Sequence, residues 1–219
     1  LFAGYDQAHA VLDGPIGQGL LEEFQDHGLV GLAWGENGFR NVTNNIRPIN
    51  TPEDLEGLKL RTMENQVHIA AFEAAGANPT PMSWTEVLTS LAQGTIDGQE
   101  NPIPVLVANN MWEIQEHVTL TQHVYSPAVV VMSGSRWDGL TEEQQGWFVA
   151  AGQAAAAATR ATVAENEANG VALLRENGMQ VIESVDSAAF AAAVEPAYAR
   201  FAEEMGVADL IADIQAAQQ

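Results

Sequence analysis

The 219 residues predict an α/β fold with mainly parallel sheets, on three observations. Short apolar runs bounded by glycine or proline alternate with segments of helical periodicity. The helical segments carry their own punctuation, with capping residues at the start and glycine at the stop. From about Thr141 the character changes to an alanine-rich stretch free of proline, which predicts one helix far longer than three or four turns.

The elements follow in order. "GPIGQG" (14–19) has neither the GxGxxG order nor a phosphate-binding lysine, and reads as a turn. "GLVGLAWG" (28–35) is an apolar run between glycines, hence a buried strand. "FRNVTNNIRPIN" (39–50) is polar and extended. "TPEDLEG" begins a short helix with Thr51 as N-cap, Pro52 at the first helical position and Gly57 as the stop. "LKLRTM" alternates as a strand does. "ENQVHIAAFEAAG" returns to a helix that Gly76 ends, and "ANPTPM" is a loop fixed by two prolines. In "SWTEVLTSLAQG", Ser83 and Glu86 form a capping box and Gly94 closes the helix. "TIDGQENPIP" is extended, and "YSPAVVVMSG" is the most strand-like run in the chain. After the long helix come a short strand, "MQVIESV", a helix from "SAAF" to Gly206, and a helical tail.

Composition excludes several function classes. With 8 Lys+Arg against 29 Asp+Glu the net charge is -21, which leaves no basic face for nucleic acid or an anionic bilayer. No run approaches 18 apolar residues, so direct membrane insertion is not expected. The chain has no cysteine, which removes disulfides, thiolate catalysis and cysteine metal sites. His9, His27, His68, His117 and His123 lie far apart without zinc-binding spacing, so neither a metal nor another cofactor is expected. Ser133 lies outside any GxSxG elbow, and no catalytic constellation emerges. The opening "LFAGYDQAHAVLDG" has no basic or long apolar signal region and no initiator methionine. It therefore reads as a mature or cut product whose true beginning is missing.

One feature points to chemistry. Four of the eight basic residues, Arg40, Arg47, Lys59 and Arg61, fall in one short window of this acidic chain. On a strand, Lys59, Arg61 and Met63 share a face. The arginine fork holds a carboxylate through two parallel hydrogen bonds, although a strand-end Arg paired with a surface Glu is the plain alternative. Arg40 offers a second cation. Asn101 offers donors and acceptors, and Trp84 either walls a pocket or belongs to the core.

These segments resemble a known family. "NGFRNVTNNIRPINTPEDLEGLKLRTMEN", "AAGANPTPMSWTEV", "LAQGTIDGQENP", "HVTLTQHVYSP" and "WDGLTEEQQ" occur in the order and spacing of the DctP-like substrate-binding proteins of tripartite ATP-independent periplasmic (TRAP) transporters. The resemblance covers essentially the whole chain. It implies two α/β lobes with a cleft, crossing strands and a long helix spanning both lobes, closing on a small organic acid. It further implies a monomeric periplasmic receptor, without enzymatic activity, that delivers its acid to the membrane subunits of the transporter. Matched position by position, Arg61 falls on the family's carboxylate-binding arginine and Arg40 on its second cleft arginine. Trp84 takes the place of the family's Phe or Tyr, and Asn101 that of its cleft asparagine. Glu100 and His123 match positions that support the arginine from behind, and Met63 is a neighbour on the same face.

The resemblance places residues 1–37 and 127–166 in the first lobe with the spanning helix, and 38–126 and 167–219 in the second. It also implies a sheet that is divided and a helix unbroken between Thr141 and Glu165. The gathered cations would then attract an anion that the rest of the surface repels, helped by helix N-termini at Thr51 and Ser83. A ligand-binding sensor domain of the same fold is the alternative function, and an enzyme acting on acidic sugars is a third. The acid itself stays open among C4-dicarboxylates, sugar acids, sialic-acid-like compounds, 2-oxo acids and sulfonates.

Overall fold

In a computed structural model, residues 1–218 are described, and the chain divides into two compact units. Unit 1 comprises Leu1–Gly38, Tyr125–Glu165 and the stretch from Asp209 onward; unit 2 comprises Phe39–Val124 and Asn166–Ala208. The expected division put everything after residue 166 in the second lobe, whereas the helical tail from Asp209 clusters with unit 1.

Unit 1 opens with helices α1 (Tyr5–Asp13) and α2 (Pro15–Glu22). The second corrects the reading of "GPIGQG" as a turn. Pro15 sits at the first helical position, where its missing N–H costs nothing, and Gly17 meets the backbone of Leu12 too closely for any Cβ. Strand β1 (Leu29–Asn44) is a single continuous strand that unites the two extended segments of the sequence and runs on into unit 2.

In unit 2, Pro52–Leu55 forms one short 3-10 turn closed by a hydrogen bond from Thr51 N to Asp54. Strand β2 (Lys59–Thr62) follows, then α3 (Gln66–Ala74), whose first turn is capped by Asn65 Oδ1 accepting from the amides of Val67 and His68. "ANPTPM" is not a loop: Asn78–Pro81 is strand β3, paired in parallel with β2 at the sheet edge. An edge strand tolerates proline because half of its amides have no neighbour to meet. Helix α4 (Trp84–Ala92) starts after Ser83, but the expected capping box does not form. Ser83 Oγ bonds the Glu86 carboxylate and the Thr85 hydroxyl instead of a backbone amide. Strand β4 (Gly98–Pro102) is parallel to β2 and antiparallel to β1, and α5 (Ile103–Ala108) follows it.

Strand β5 (His117–Ser133) returns the chain to unit 1, where α6 (Gly134–Trp137) leads to α7 (Glu142–Glu176), an unbroken helix of 35 residues. Then come β6 (Gln180–Ile182), parallel to β5, helix α8 (Ser187–Glu204) and helix α9 (Ala208–Ala216). The six strands run in the order β3-β2-β4-β1-β5-β6, and the registers of β1 with β4, β2 with β3 and β4, and β5 with β6 all lie within unit 2.

Unit 2 carries two apolar clusters. One joins Val87, Leu91, Ile96, Ile103, Leu106 and Leu174; the other joins Val42, Ile49, Leu55, Leu60 and Phe72. Together they clamp β2 and β4 between helices, and that clamp presents the carboxyl ends of the parallel strands.

Candidate functional site

In open α/β sheets ligands meet the carboxyl ends of parallel strands, where the loops and helix starts converge. In unit 2 those ends bring together Arg61 at the end of β2, Met82 and Trp84 just after β3, and Glu100 and Asn101 at the end of β4. Arg40 enters from β1 and His123 from β5.

Strand β4 approaches β1 closely. A Cβ on Gly98 would lie 2.1 Å from the Thr43 carbonyl oxygen, so only glycine fits, and the register that results pairs Arg40 with Pro102 and Val42 with Glu100. Glu100 is therefore Arg40's diagonal neighbour, a separation that long side chains bridge. Arg40 Nε donates to Glu100 Oε2 at 2.5 Å and Nη2 donates to Oε1 at 2.9 Å. The same Nη2 reaches the Glu100 backbone oxygen at 2.7 Å and Asn101 Oδ1 at 3.0 Å. His123 Nε2 lies 3.1 Å from Glu100 Oε2, and His123 Nδ1 lies 2.7 Å from the Thr121 hydroxyl. Burial alone would raise the Glu100 carboxyl. Hydrogen bonds from His123 and Arg40, with the charge on Arg40, hold it down at about 2 instead.

Arg61 is bound differently. Its Nε and Nη2 both donate to the Met82 carbonyl oxygen, at 3.0 and 2.8 Å, and its Cζ lies 5.7 Å from the centre of the Trp84 ring. The residue is 4% exposed, and among the described residues no carboxylate pairs with it. Burial lowers its proton affinity below the usual arginine range, but an arginine keeps its charge in proteins. The Met82 carbonyl occupies the Nε side of the guanidinium. The terminal pair, Nη1 and the second hydrogen of Nη2, stays available for a bidentate partner.

The remaining predicted residues take plainer places. Asn101 is oriented at both ends, accepting from Arg40 and donating to Gln99 Oε1 at 2.6 Å. Trp84 both faces Arg61 and packs against the first apolar cluster, so the two readings of it coincide. Met63 is half-buried just past the end of β2. Arg40 donates to Glu100 and Asn101, His123 meets the same Glu100 carboxylate, and the Glu100 charge also acts on Arg61. The four gathered cations do not all face an anion. Arg47 donates to the backbone oxygens of Asp54 and Glu56, and Lys59 is exposed. Thr51 heads only a four-residue 3-10 turn, too short for a helix dipole of consequence. Among the described residues no His/Asp/Glu group is arranged to hold a metal, and no helix is long and apolar enough to cross a membrane.

Sequence reasoning missed His68. It lies in the first turn of α3, and the charges of Glu100, Arg40 and His123 act on its imidazole. A lone histidine without a spaced partner gave no signal.

Comparison with known proteins decides the family. The model of the bacterial extracellular solute-binding protein family 7, DctP, matches residues 1–204. The chain belongs to this family. A solute-binding protein of Verminephrobacter eiseniae is 49% identical over 96% of this chain and 63% of its own length. The 2,3-diketo-L-gulonate-binding periplasmic protein YiaO of Escherichia coli is 42% identical over 89% of this chain and 59% of its own. A crystal structure of a TRAP periplasmic solute-binding protein from Polaromonas sp. JS666, bound to D-erythronate, superposes with a TM-score of 0.93. It is 51% identical, over 99% of this chain and 70% of that one. The chain thus spans about three fifths of the length of the curated relatives it matches.

Proposed function

We propose that this DctP-family protein is an extracytoplasmic receptor that binds a small organic acid and delivers it to a TRAP transporter. The observation that carries the reading is the contrast between its two buried arginines. Arg40 has its counter-ion in Glu100, while Arg61, also withdrawn from water, pairs with no carboxylate among the described residues. A buried cation without an anion is costly, and the cost is recovered when a ligand supplies the anion. Met82 and Trp84 hold the guanidinium plane, so the ligand carboxylate finds its fork already oriented. Asn101, locked by Arg40 and Gln99, offers a second polar contact, and Trp84 and Met63 offer apolar surface beside it. Arg40, Glu100 and His123 form the support that keeps Asn101 in place.

The setting follows from the relatives, among them a 2,3-diketo-L-gulonate-binding periplasmic protein and a TRAP periplasmic solute-binding protein. In that setting the protein works in the periplasm as a monomer. Its partners are the acid and the membrane subunits of the transporter, and it binds without turning its ligand over. Native mass spectrometry of the purified full-length protein, followed by calorimetry with the acid recovered, tests the reading. A bound carboxylate released on denaturation is the expected result. Conversion of that acid to a product would overturn the receptor in favour of an enzyme.

A further inference from the structure

Asn101 is gripped by Arg40 and Gln99, and Gln99 is itself gripped from further inside. Its Nε2 donates to Thr43 Oγ1 at 2.9 Å. The single hydrogen of that hydroxyl goes to Gln115 Oε1 at 2.9 Å, with the Gln99 carbonyl a longer alternative at 3.5 Å. Gln115 Nε2 ends the series on the backbone oxygens of Ile114 and Asp97, at 3.2 and 3.4 Å. Asn101, Gln99, Thr43 and Gln115 are all buried, and all lie in unit 2. The strand registers put them in place. Arg61, Gln99 and Thr43 stand side by side across β2, β4 and β1, and Asn101 is two residues past Gln99 on the same face.

Every bond in this series points the same way, and its ends leave no choice. An arginine can only donate, so Asn101 must turn Oδ1 toward Arg40 and Nδ2 toward Gln99. A backbone carbonyl can only accept, so Gln115 must turn Nε2 toward Ile114 and Asp97, and Oε1 toward Thr43. The threonine hydroxyl, which both donates and accepts, joins the two halves. Turning over any one of the three carboxamides would set donor against donor or acceptor against acceptor. In a buried setting such unpaired groups are costly. The Asn101 carboxamide therefore has one orientation. It uses one lone pair on Arg40 and one hydrogen on Gln99, and keeps one of each for a ligand.

We propose that Thr43 and Gln115 are positioning residues of the acid-binding site, acting on the ligand only through Asn101. The inference rests on the receptor reading and extends it to residues behind the site. Their side-chain hydrogens are all used inside the protein, so neither has a donor left to offer a carboxylate. Breaking the series at Thr43 frees Gln99 to turn over. Asn101 is then held by Arg40 alone, and its remaining N–H loses its fixed direction.

Calorimetry on the full-length protein tests this, with D-erythronate as the probe and, where mass spectrometry recovers a different carboxylate, with that acid as well. Thr43→Val keeps the shape, deletes the hydroxyl, and should weaken binding about tenfold, the scale of one hydrogen bond. Thr43→Ser restores the hydroxyl and should bring affinity back to within about threefold of the parent. Gln115→Met breaks the series at its far end and should act in the same direction as Thr43→Val. A double-mutant cycle decides whether the effect runs through Asn101. In an Asn101→Ala background both substitutions should change affinity by less than about twofold, because the group they position is gone. A loss that persists in that background would overturn the inference, as would unchanged affinity in the two single variants; either result leaves the receptor standing. If neither variant folds, side-chain amide exchange in the parent decides. Asn101 protons exchanging far more slowly than those of exposed Asn169 support the inference, and equal rates overturn it. A parent that binds no acid removes the receptor reading, and the inference with it.

Discussion

Each unit of this protein buries a glutamate against a histidine, and the two clusters are solved differently. In unit 2, both oxygens of Glu100 receive hydrogen bonds from Arg40, and Oε2 also meets His123. In unit 1, Glu36 meets His9 Nε2 at 2.6 Å and the Tyr125 hydroxyl at 3.2 Å, both through Oε2, while Oε1 is buried without a partner. Burial and the neighbouring Glu36 carboxylate together raise the Tyr125 hydroxyl far above the usual phenol range. The difference is the guanidinium. Arg40 donates straight to the Glu100 carboxylate. In unit 1 the guanidinium of Arg160, close enough to feel the Glu36 charge, donates instead to Asp13 and the Trp34 carbonyl, and one histidine and one phenol leave an oxygen of Glu36 over. The lesson carries to Arg61, the mirror case, a buried cation with no carboxylate paired to it among the described residues.

The apolar packing differs in the same direction. The largest fully buried side chains, from Ile49, Leu55 and Leu60 to Leu106, Met111 and Leu174, all belong to unit 2. Both units show large apolar side chains to solvent, Trp147, Phe148 and Val131 in unit 1 and Ile46, Leu173, Tyr198 and Met205 in unit 2, so the difference lies in the interior. The unit with the candidate site is the one that holds the largest fully buried side chains, the packing a pre-oriented arginine needs.

The sharpest way to break the comparison is to remove a guanidinium from each side of it. Arg61→Ala should lower affinity for the recovered acid by roughly two to three and a half orders of magnitude, from a loss of ~3–5 kcal/mol when a desolvated anion goes unpaired. Calorimetry reads this directly, and an affinity within threefold of the parent would refute the assignment. Arg61→Lys should recover only part of the loss, because an ammonium cannot grip the Met82 carbonyl and a carboxylate in one plane. Arg40→Met acts on folding instead. It strands Glu100 as a buried anion and should cost about 3–5 kcal/mol of stability in urea titrations. A variant as stable as the parent would show that His123 alone suffices.

Acid titration sharpens the point. Glu100 falls from an ordinary value of 4.5 to about 2 on folding, so its stabilisation is complete above pH 4.5. Below that, the unfolded chain binds a proton that the folded chain refuses, and stability declines as the pH drops toward about 2. Glu100→Gln should flatten this window in chemical denaturation at stepped pH; an unaltered slope would contradict it. Glu36→Gln should change stability by only ~1 kcal/mol, the scale of one neutral hydrogen bond. Smallest of all is Arg47→Ala. Its guanidinium serves backbone oxygens of Asp54 and Glu56, so affinity for the acid should stay within about 1 kcal/mol.

The fold was legible wherever a local signal agreed with its neighbours. Gly76 and Gly94 closed α3 and α4, and an alanine-rich stretch free of proline marked α7. The signals failed where tertiary pairing overrides local chemistry. Prolines 79 and 81 read as a loop, because nothing local reveals that a strand will lie at an edge. Gly14, Gly17 and Gly19 read as a turn, because close packing on Leu12 cannot be seen in one segment. At the candidate site, residue types singled out Arg61, Asn101 and Trp84, since few side chains can hold a carboxylate, and the structure brings these three to the carboxyl ends of β2 to β4. Which arginine spends its charge internally was not legible. That depends on the diagonal of β1 against β4, a register fixed by how closely Gly98 approaches Thr43.

Strand β3 has a consequence for life in concentrated solution. Asn78 and Met82 donate their amides inward, to the carbonyls of Leu58 and Thr62, so the alternation turns positions 79 and 81 outward. Both are proline. The free margin of the sheet therefore offers no N–H at the positions where another polypeptide would begin to pair. The residues that hid the strand from view in the sequence also keep it from recruiting a second molecule into a growing aggregate.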